Sequence, residues 1–145
     1  MPDEFREPGL PKRGVGQAML RGARFRCPNC GIGPMFRAYL KVNDHCPNCA
    51  EALHHQRADD APPYMTIFVV GHVVIPLALI VERTWQPDYW VHAALWLPLS
   101  LITALSFLPV AKGALVGLQW ALYMHGFDPN EPADPHIDPA WSQTP

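Results

Sequence analysis

Residues 62–81 read PPYMTIFVVGHVVIPLALIV, twenty positions without a formal charge, closed by Glu82 and Arg83. That length is close to the ~20 residues a helix needs to cross a bilayer. A short polar loop over residues 82–89 leads to a second uncharged stretch, residues 90–111, which ends at Lys112. Two core helices of a soluble protein are the alternative, but a chain of 145 residues is too small to cover two such helices on all sides. The sequence therefore predicts a mainly α membrane protein with transmembrane helices over 62–81 and 90–111, an antiparallel hairpin around an outer loop. Tyr64, Trp85, Tyr89 and Trp90 fall near the span ends, where amphipathic rings favour the headgroup region. Pro76, Pro98 and Pro109 lie inside the spans and are expected to kink them.

Outward from the spans, charge is unevenly placed. Nine of the eleven Lys and Arg residues precede residue 60, and only Arg83 and Lys112 follow. By the positive-inside rule both termini are expected in the cytoplasm and the loop outside. The first thirty residues hold no apolar run of signal-peptide length, so a cleaved secretory signal is not expected. Residues 112–126 would rise only ~20 Å as a helix, too short for a third span. They are read as an interfacial or cytoplasmic helix stopped at Gly126. Residues 1–20 read as a flexible tail, and residues 127–145, with Pro at 129, 132, 135, 139 and 145, as a disordered one.

The module before the first span, residues 21–61 with their connector, carries every cysteine of the chain: Cys27-Pro28-Asn29-Cys30 and Cys46-Pro47-Asn48-Cys49, with fifteen residues between the pairs. This C-x2-C-x15-C-x2-C spacing is that of a four-thiolate zinc site, each Cys-x-x-Cys turn bringing two sulfurs to one side of the ion. Without an export signal the cysteines belong in a reducing compartment, where thiolates bind metal rather than form structural disulfides. Zinc is thus the expected cofactor, with Cys27, Cys30, Cys46 and Cys49 as ligands of a small ribbon. Residues between the turns, including Met35 to Val42, have strand character and are expected to form a hairpin. So small a module has little apolar core, and metal binding would supply most of its folding energy. Thiol redox chemistry or transient metal carriage is the competing reading, although Cys-x-x-Cys redox motifs occur singly in a βαβ setting. A complete set of cysteines leaves His45, His54 and His55 unnecessary as ligands. Arg21, Arg24 and Arg26 could contact nucleic-acid phosphates. Membrane orientation and attraction to anionic lipid account for the same charges, so nucleic acid is the weaker partner assignment.

Within the spans, His72 is an ionisable group at a depth where one is costly. In an antiparallel hairpin it lies at about the depth of Ser100, with Thr103 a turn away, and a hydrogen bond to either is expected; a haem or copper ligand, or a proton relay, is the sharper reading. Glu82 and His92 flank the loop at similar depth and are expected to be able to pair. His72 and His92 differ in depth by ~14 Å, which rules against one metal site using both. No glycine-rich phosphate loop, Gly-x-Ser-x-Gly elbow or carboxylate pair points to an enzyme.

The pattern as a whole resembles the Domain of Unknown Function 983 family of bacterial membrane proteins. The matching stretches are residues 26–31, 46–49, 57–62, Gly71-His72, 95–99, Leu108-Pro109, Lys112-Gly113, 118–121 and 124–127. One departure is Ala50, where such knuckles usually carry a glycine. The resemblance implies an inner-membrane protein with a cytoplasmic zinc ribbon. Genes of the family lie near those of cytochrome oxidase and its assembly factors in some alphaproteobacteria, which implies a role in respiratory-complex biogenesis. The expectation is a noncatalytic integral inner-membrane accessory protein, in contact with the lipid bilayer and with a membrane protein partner. A thiol redox or metal-transfer factor is the alternative, and a membrane-tethered nucleic-acid binder the weaker one.

Overall fold

The computed structural model describes residues 10–130. The residues beyond 130, and with them most of the expected C-terminal tail, lie outside the described residues, as does the start of the N-terminal one.

The chain is mainly helical: α1 (Val15–Ala23), a two-stranded hairpin of β1 (Phe36–Ala38) and β2 (Lys41–Val42), then α2 (Ala61–Trp85) and α3 (Tyr89–Ala121). Pro62 and Pro63 open α2 where missing N–H groups cost nothing. Gln86 closes it in the left-handed region, its N–H returning to the Glu82 carbonyl at 3.1 Å. Three residues then suffice to reverse the chain. The helices run antiparallel, since His92 meets Glu82 at one end and Lys112 meets Asp59 at the other.

Both helices are long and apolar enough to cross a membrane, with mean hydropathy 2.3 and 1.8 in their most apolar windows. Only 11 % of the α2 window and 0 % of the α3 window is buried. A soluble core helix would be mostly covered, so these two present their apolar side chains outward.

The structure corrects two expectations about boundaries. Residues 15–20, read as flexible, form most of α1, and residues 112–121, read as a separate helix, continue α3 without a break. Lys112 interrupts only the apolar run, and lysine is a good helix former. The helix ends before Gly126, in a turn where Tyr123 takes φ 57 and the N–H groups of Tyr123 and Met124 return to the carbonyls of Trp120 and Gln119.

Helix α1 crosses the extension of α3 at backbone contact. A Cβ at Gly22 would collide with the Gly113 carbonyl oxygen and one at Gly113 with that of Gly22, while one at Gly117 would meet the Ala18 carbonyl. The facing pairs, Ala18-x3-Gly22 and Gly113-x3-Gly117, are small residues one turn apart, which lets two helix backbones touch. Arg13 secures the far end: its guanidinium lies against the Trp120 and Tyr123 rings, 4.1 and 3.9 Å to the centroids, and donates to the Trp120 carbonyl at 2.7 Å. That carbonyl, at the helix C-terminus, has no helical donor four residues on and, among the described residues, otherwise accepts only the long 3.4 Å bond from the Tyr123 N–H.

The β1–β2 hairpin also reaches α3, through Tyr39 at its turn. Pro109 has no N–H, so the Leu105 carbonyl four residues earlier lacks its helical donor. The Tyr39 hydroxyl donates to that oxygen at 2.8 Å. Tyr39→Phe keeps the ring and removes the donor; its expected cost is ~1–3 kcal/mol if the carbonyl is left dry. A fall in the thermal unfolding midpoint of the detergent-solubilised protein, absent for Tyr64→Phe, checks this.

Candidate metal centre

Both Cys-Pro-Asn-Cys segments fold into the same turn. The Gly31 N–H donates to the Cys27 carbonyl and the Ala50 N–H to the Cys46 carbonyl, each at 2.9 Å. Gly33 then accepts from the Cys27 N–H, and Glu51 from the Cys46 N–H, again at 2.9 Å. The residue after each second cysteine is left-handed, Gly31 at φ 71 and Ala50 at φ 57. Alanine is strained there by roughly 1–2 kcal/mol because its Cβ crowds the following carbonyl. Ala50→Gly is therefore expected to stabilise the module by about 1 kcal/mol after the added unfolded-state freedom of glycine is counted. A higher chelator concentration needed to melt the module is the readout.

The two turns face each other and bring the four sulfurs together, all within 4.8 Å of one another. Cys27 and Cys49 are 3.7 Å apart at sulfur, Cys30 and Cys46 3.8 Å. With metal–sulfur bonds of ~2.3 Å, the edge of a tetrahedral site is ~3.8 Å. Both of these pairs run across the turns, and all four cysteines are free thiols. Cys27 and Cys46 are buried, Cys30 and Cys49 half-buried. Gly33 is required beside them, since a Cβ there would press on the Cys46 sulfur.

The sulfurs differ in acidity. The backbone N–H groups of Gly33 and Ile32 pull the Cys30 thiol down from 9.0 to about 6. Burial pushes the Cys27 and Cys49 thiols up, against the opposing pull of nearby N–H groups. Buried thiolates need a compensating positive charge, and a divalent cation bound by all four supplies it. The donor set and its spacing fit such an ion.

The cysteine site belongs to one packed unit with α3. Val116 is fully buried in the cluster of Cys27, Met35, Val42, Cys46, Leu53 and Ala58. The Gln119 side-chain oxygen accepts from the Arg57 N–H at 3.0 Å, and the Trp120 indole donates to Glu51 at 2.8 Å. Glu51 also accepts from the Asn29 side chain at 2.7 Å, which joins the first turn to the second and both to α3. Arg21, on α1, donates to the Pro28 and Asn29 carbonyls at 3.0 and 2.6 Å, and Arg26 to Ile32 at 2.6 Å. Two of the three arginines suggested as phosphate contacts thus hold the first turn instead.

The histidines sort differently. His45, His54 and His55 pack ring against ring, at 5.4 and 3.9 Å between centroids, outside the sulfur cluster. The His92 ring lies 2.9 Å from Glu82, as the sequence suggested, and also accepts from the Trp96 indole at 3.0 Å. His72 does not bond to Ser100 or Thr103; its Nδ1 lies 2.8 Å from the Phe68 carbonyl on its own helix. Sequence reasoning missed Glu51, Trp120 and the two small-residue pairs. The G-x-x-x-G at residues 113–117 was a readable signal, whereas the Glu51 contact spans 69 positions and had none.

In comparison with known proteins, the model of the family described as Protein of unknown function (DUF983) matches residues 36–120. That stretch takes in the second cysteine turn, the whole of α2 and α3 as far as Trp120. No curated protein and no solved structure matches.

Proposed function

Given that the chain belongs to the DUF983 family, we propose that it is a two-span membrane protein whose four cysteines hold one structural zinc ion, and that it serves as a noncatalytic accessory factor. The zinc-ordered module is its docking surface for a membrane protein partner. The observation that carries this reading is the sulfur cluster, set at tetrahedral spacing and fastened through Val116, Gln119 and Trp120 to a helix of membrane-spanning length. When bound, the ion would neutralise the buried thiolates of Cys27, Cys30, Cys46 and Cys49 and lock the two turns together. Placement in a bacterial inner membrane, with both termini cytoplasmic, is supported by the basic residues before residue 60 and by thiols that need a reducing compartment.

A module tied rigidly to its span suits a docking role: a partner that binds it is held at fixed height above the bilayer. Affinity purification of the tagged full-length protein in mild detergent tests this, with a respiratory complex such as cytochrome oxidase as the first candidate from the sequence resemblance. A membrane protein retained by the wild type and lost with Cys27→Ser supports the reading; no stable membrane partner contradicts it.

Cys30 favours a second reading, a thiol redox or metal-transfer factor. Its sulfur is half-buried and accepts the Ile32 N–H at 3.5 Å, a contact that favours the thiolate, the state that attacks disulfides or accepts soft metals. That reading requires the cluster to exchange its metal or oxidise reversibly.

A further inference from the structure

Helix α1 runs antiparallel to the end of α3: Gly22 meets Gly113, Ala18 meets Gly117 and Arg13 meets Trp120. Its C-terminal end, with Arg24 and Phe25, therefore points along α3 toward the apolar stretch. Phe25 lies edge-on to Phe36, ring centroids 5.8 Å apart, and β1 carries the chain further the same way. Ala38 pairs with Lys41, which leaves Tyr39 and Leu40 as the turn. At this tip the Tyr39 hydroxyl meets the Leu105 carbonyl, ~10 Å along α3 from Lys112. The covering of α3 stops at about the same place: Ala111, Gly113 and Val116 are buried, whereas Leu101, Ile102 and Leu105 are exposed. A hydrocarbon layer of ~30 Å that starts at Tyr89 takes in about 20 residues of α3 and ends near Pro109. Leu105 is then ~6 Å inside the layer, and the hairpin tip enters its edge.

We propose that this underside of the cysteine module, Arg24 and Phe25 with the hairpin over residues 37–41, binds anionic phospholipid of the protein's own bilayer. The inference rests on the reading of α2 and α3 as membrane spans. Arg24, Arg37 and Lys41 are all exposed here. Among the described residues Arg24 and Lys41 have no carboxylate partner, and Arg37 has only the equally exposed Asp44 at 3.3 Å. Arg21 and Arg26, by contrast, are turned to backbone carbonyls. Two acids lie near this level: Asp59 is taken by Lys112, and Asp60 sits at the N-terminus of α2, where the helix dipole suits its charge. Phe25 and Tyr39 are exposed as well, and the Tyr39 hydroxyl is already spent on Leu105. Aromatic rings beside unpaired cations suit neither bulk water nor hydrocarbon, but they match the headgroup boundary, where rings settle and basic side chains reach out to phosphate. A nucleic acid or a soluble protein cannot take this face, because the bilayer already occupies it.

The test strips the full-length protein of lipid in mild detergent and titrates it with phosphatidylglycerol or with phosphatidylcholine, counting bound lipids by native mass spectrometry. The wild type is expected to prefer phosphatidylglycerol. The double variant Arg24→Gln, Lys41→Gln should bind it about tenfold more weakly, with phosphatidylcholine binding unchanged. Arg24→Lys with Lys41→Arg keeps both charges and should bind like the wild type. So should Arg83→Gln, at the opposite end of α2. If the double variant does not fold, Lys41→Gln alone decides, with an expected loss of roughly fivefold. Equal binding of the two lipids, neutral variants that bind like the wild type, or an equal loss in Arg83→Gln overturns the proposal. Vesicle flotation of the same preparation separates the two readings. A protein that floats but shows no lipid preference sinks this inference alone, and one that does not float sinks the span assignment with it.

Discussion

Cys46→Ser is expected to abolish metal retention and to melt the module between α1 and α2 while leaving α2 and α3 helical. Cys46 is 2 % exposed, its sulfur 3.8 Å from that of Cys30, and its backbone closes the second turn through Ala50 and Glu51. Serine keeps the shape but offers a hydroxyl that is a poor zinc donor at neutral pH. The rest of the cluster is small: Cys27, Met35, Val42, Leu53, Ala58 and the contributed Val116. Zinc binding in modules of this size is worth ~10–16 kcal/mol, comparable with the ~5–15 kcal/mol that stabilises a whole domain. Loss of one of four ligands should therefore leave the module unfolded. Zinc content by elemental analysis falls to background, and proteolysis cuts between residues 24 and 60, where the wild type resists. Retention of zinc and protease resistance would show that the sulfurs do not hold the module together.

Gly113→Leu should cost the second-largest amount. Even a Cβ at Gly113 collides with the Gly22 carbonyl, a backbone atom that cannot rotate aside, so α1 must leave α3. Overpacking of this kind costs ~1–3 kcal/mol where the structure can shift, and more where a helix is displaced. Displacement of α1 also breaks the Arg21 bonds to the first cysteine turn, so weaker zinc retention should accompany the lower thermal midpoint. Gly16→Ala is the contrast. A Cβ there meets nothing within 4 Å, and the better helix former gains up to ~1 kcal/mol. Equal effects at the two positions would mean that α1 and α3 do not cross as described.

The features legible in the sequence are those written in local spacing. The cysteine pairs announced their cluster because a Cys-x-x-Cys turn fixes its own geometry. The two long helices were readable because uncharged runs of that length have few other uses. Ala50 was flagged from its position after Cys49, and it occupies the left-handed conformation that makes it a departure. Long-range pairing was not legible. Residues 15–20 were read with the Pro-, Gly- and charge-rich stretch before them as one tail, yet α1 packs on α3 through glycine and alanine, small residues that mark a helix contact only once the partner helix is known. Lys112 looked like a boundary, but α3 carries it toward Asp59, 53 positions away. The Tyr39 bond depends on a carbonyl freed by Pro109, and His72 found its acceptor within its own helix rather than across the hairpin. A helical histidine can always reach back one turn, so the interhelical expectation had a local competitor.

The central claim, a structural four-cysteine zinc site, is tested most directly by metal and thiol content on one preparation of the full-length protein in mild detergent. The account predicts one zinc per chain and four cysteines that resist a thiol reagent until a strong chelator is added, then react together. Metal-free protein with freely reactive thiols, bound copper, or disulfides that form and reverse at physiological potential would contradict it and make the cluster itself the active chemistry.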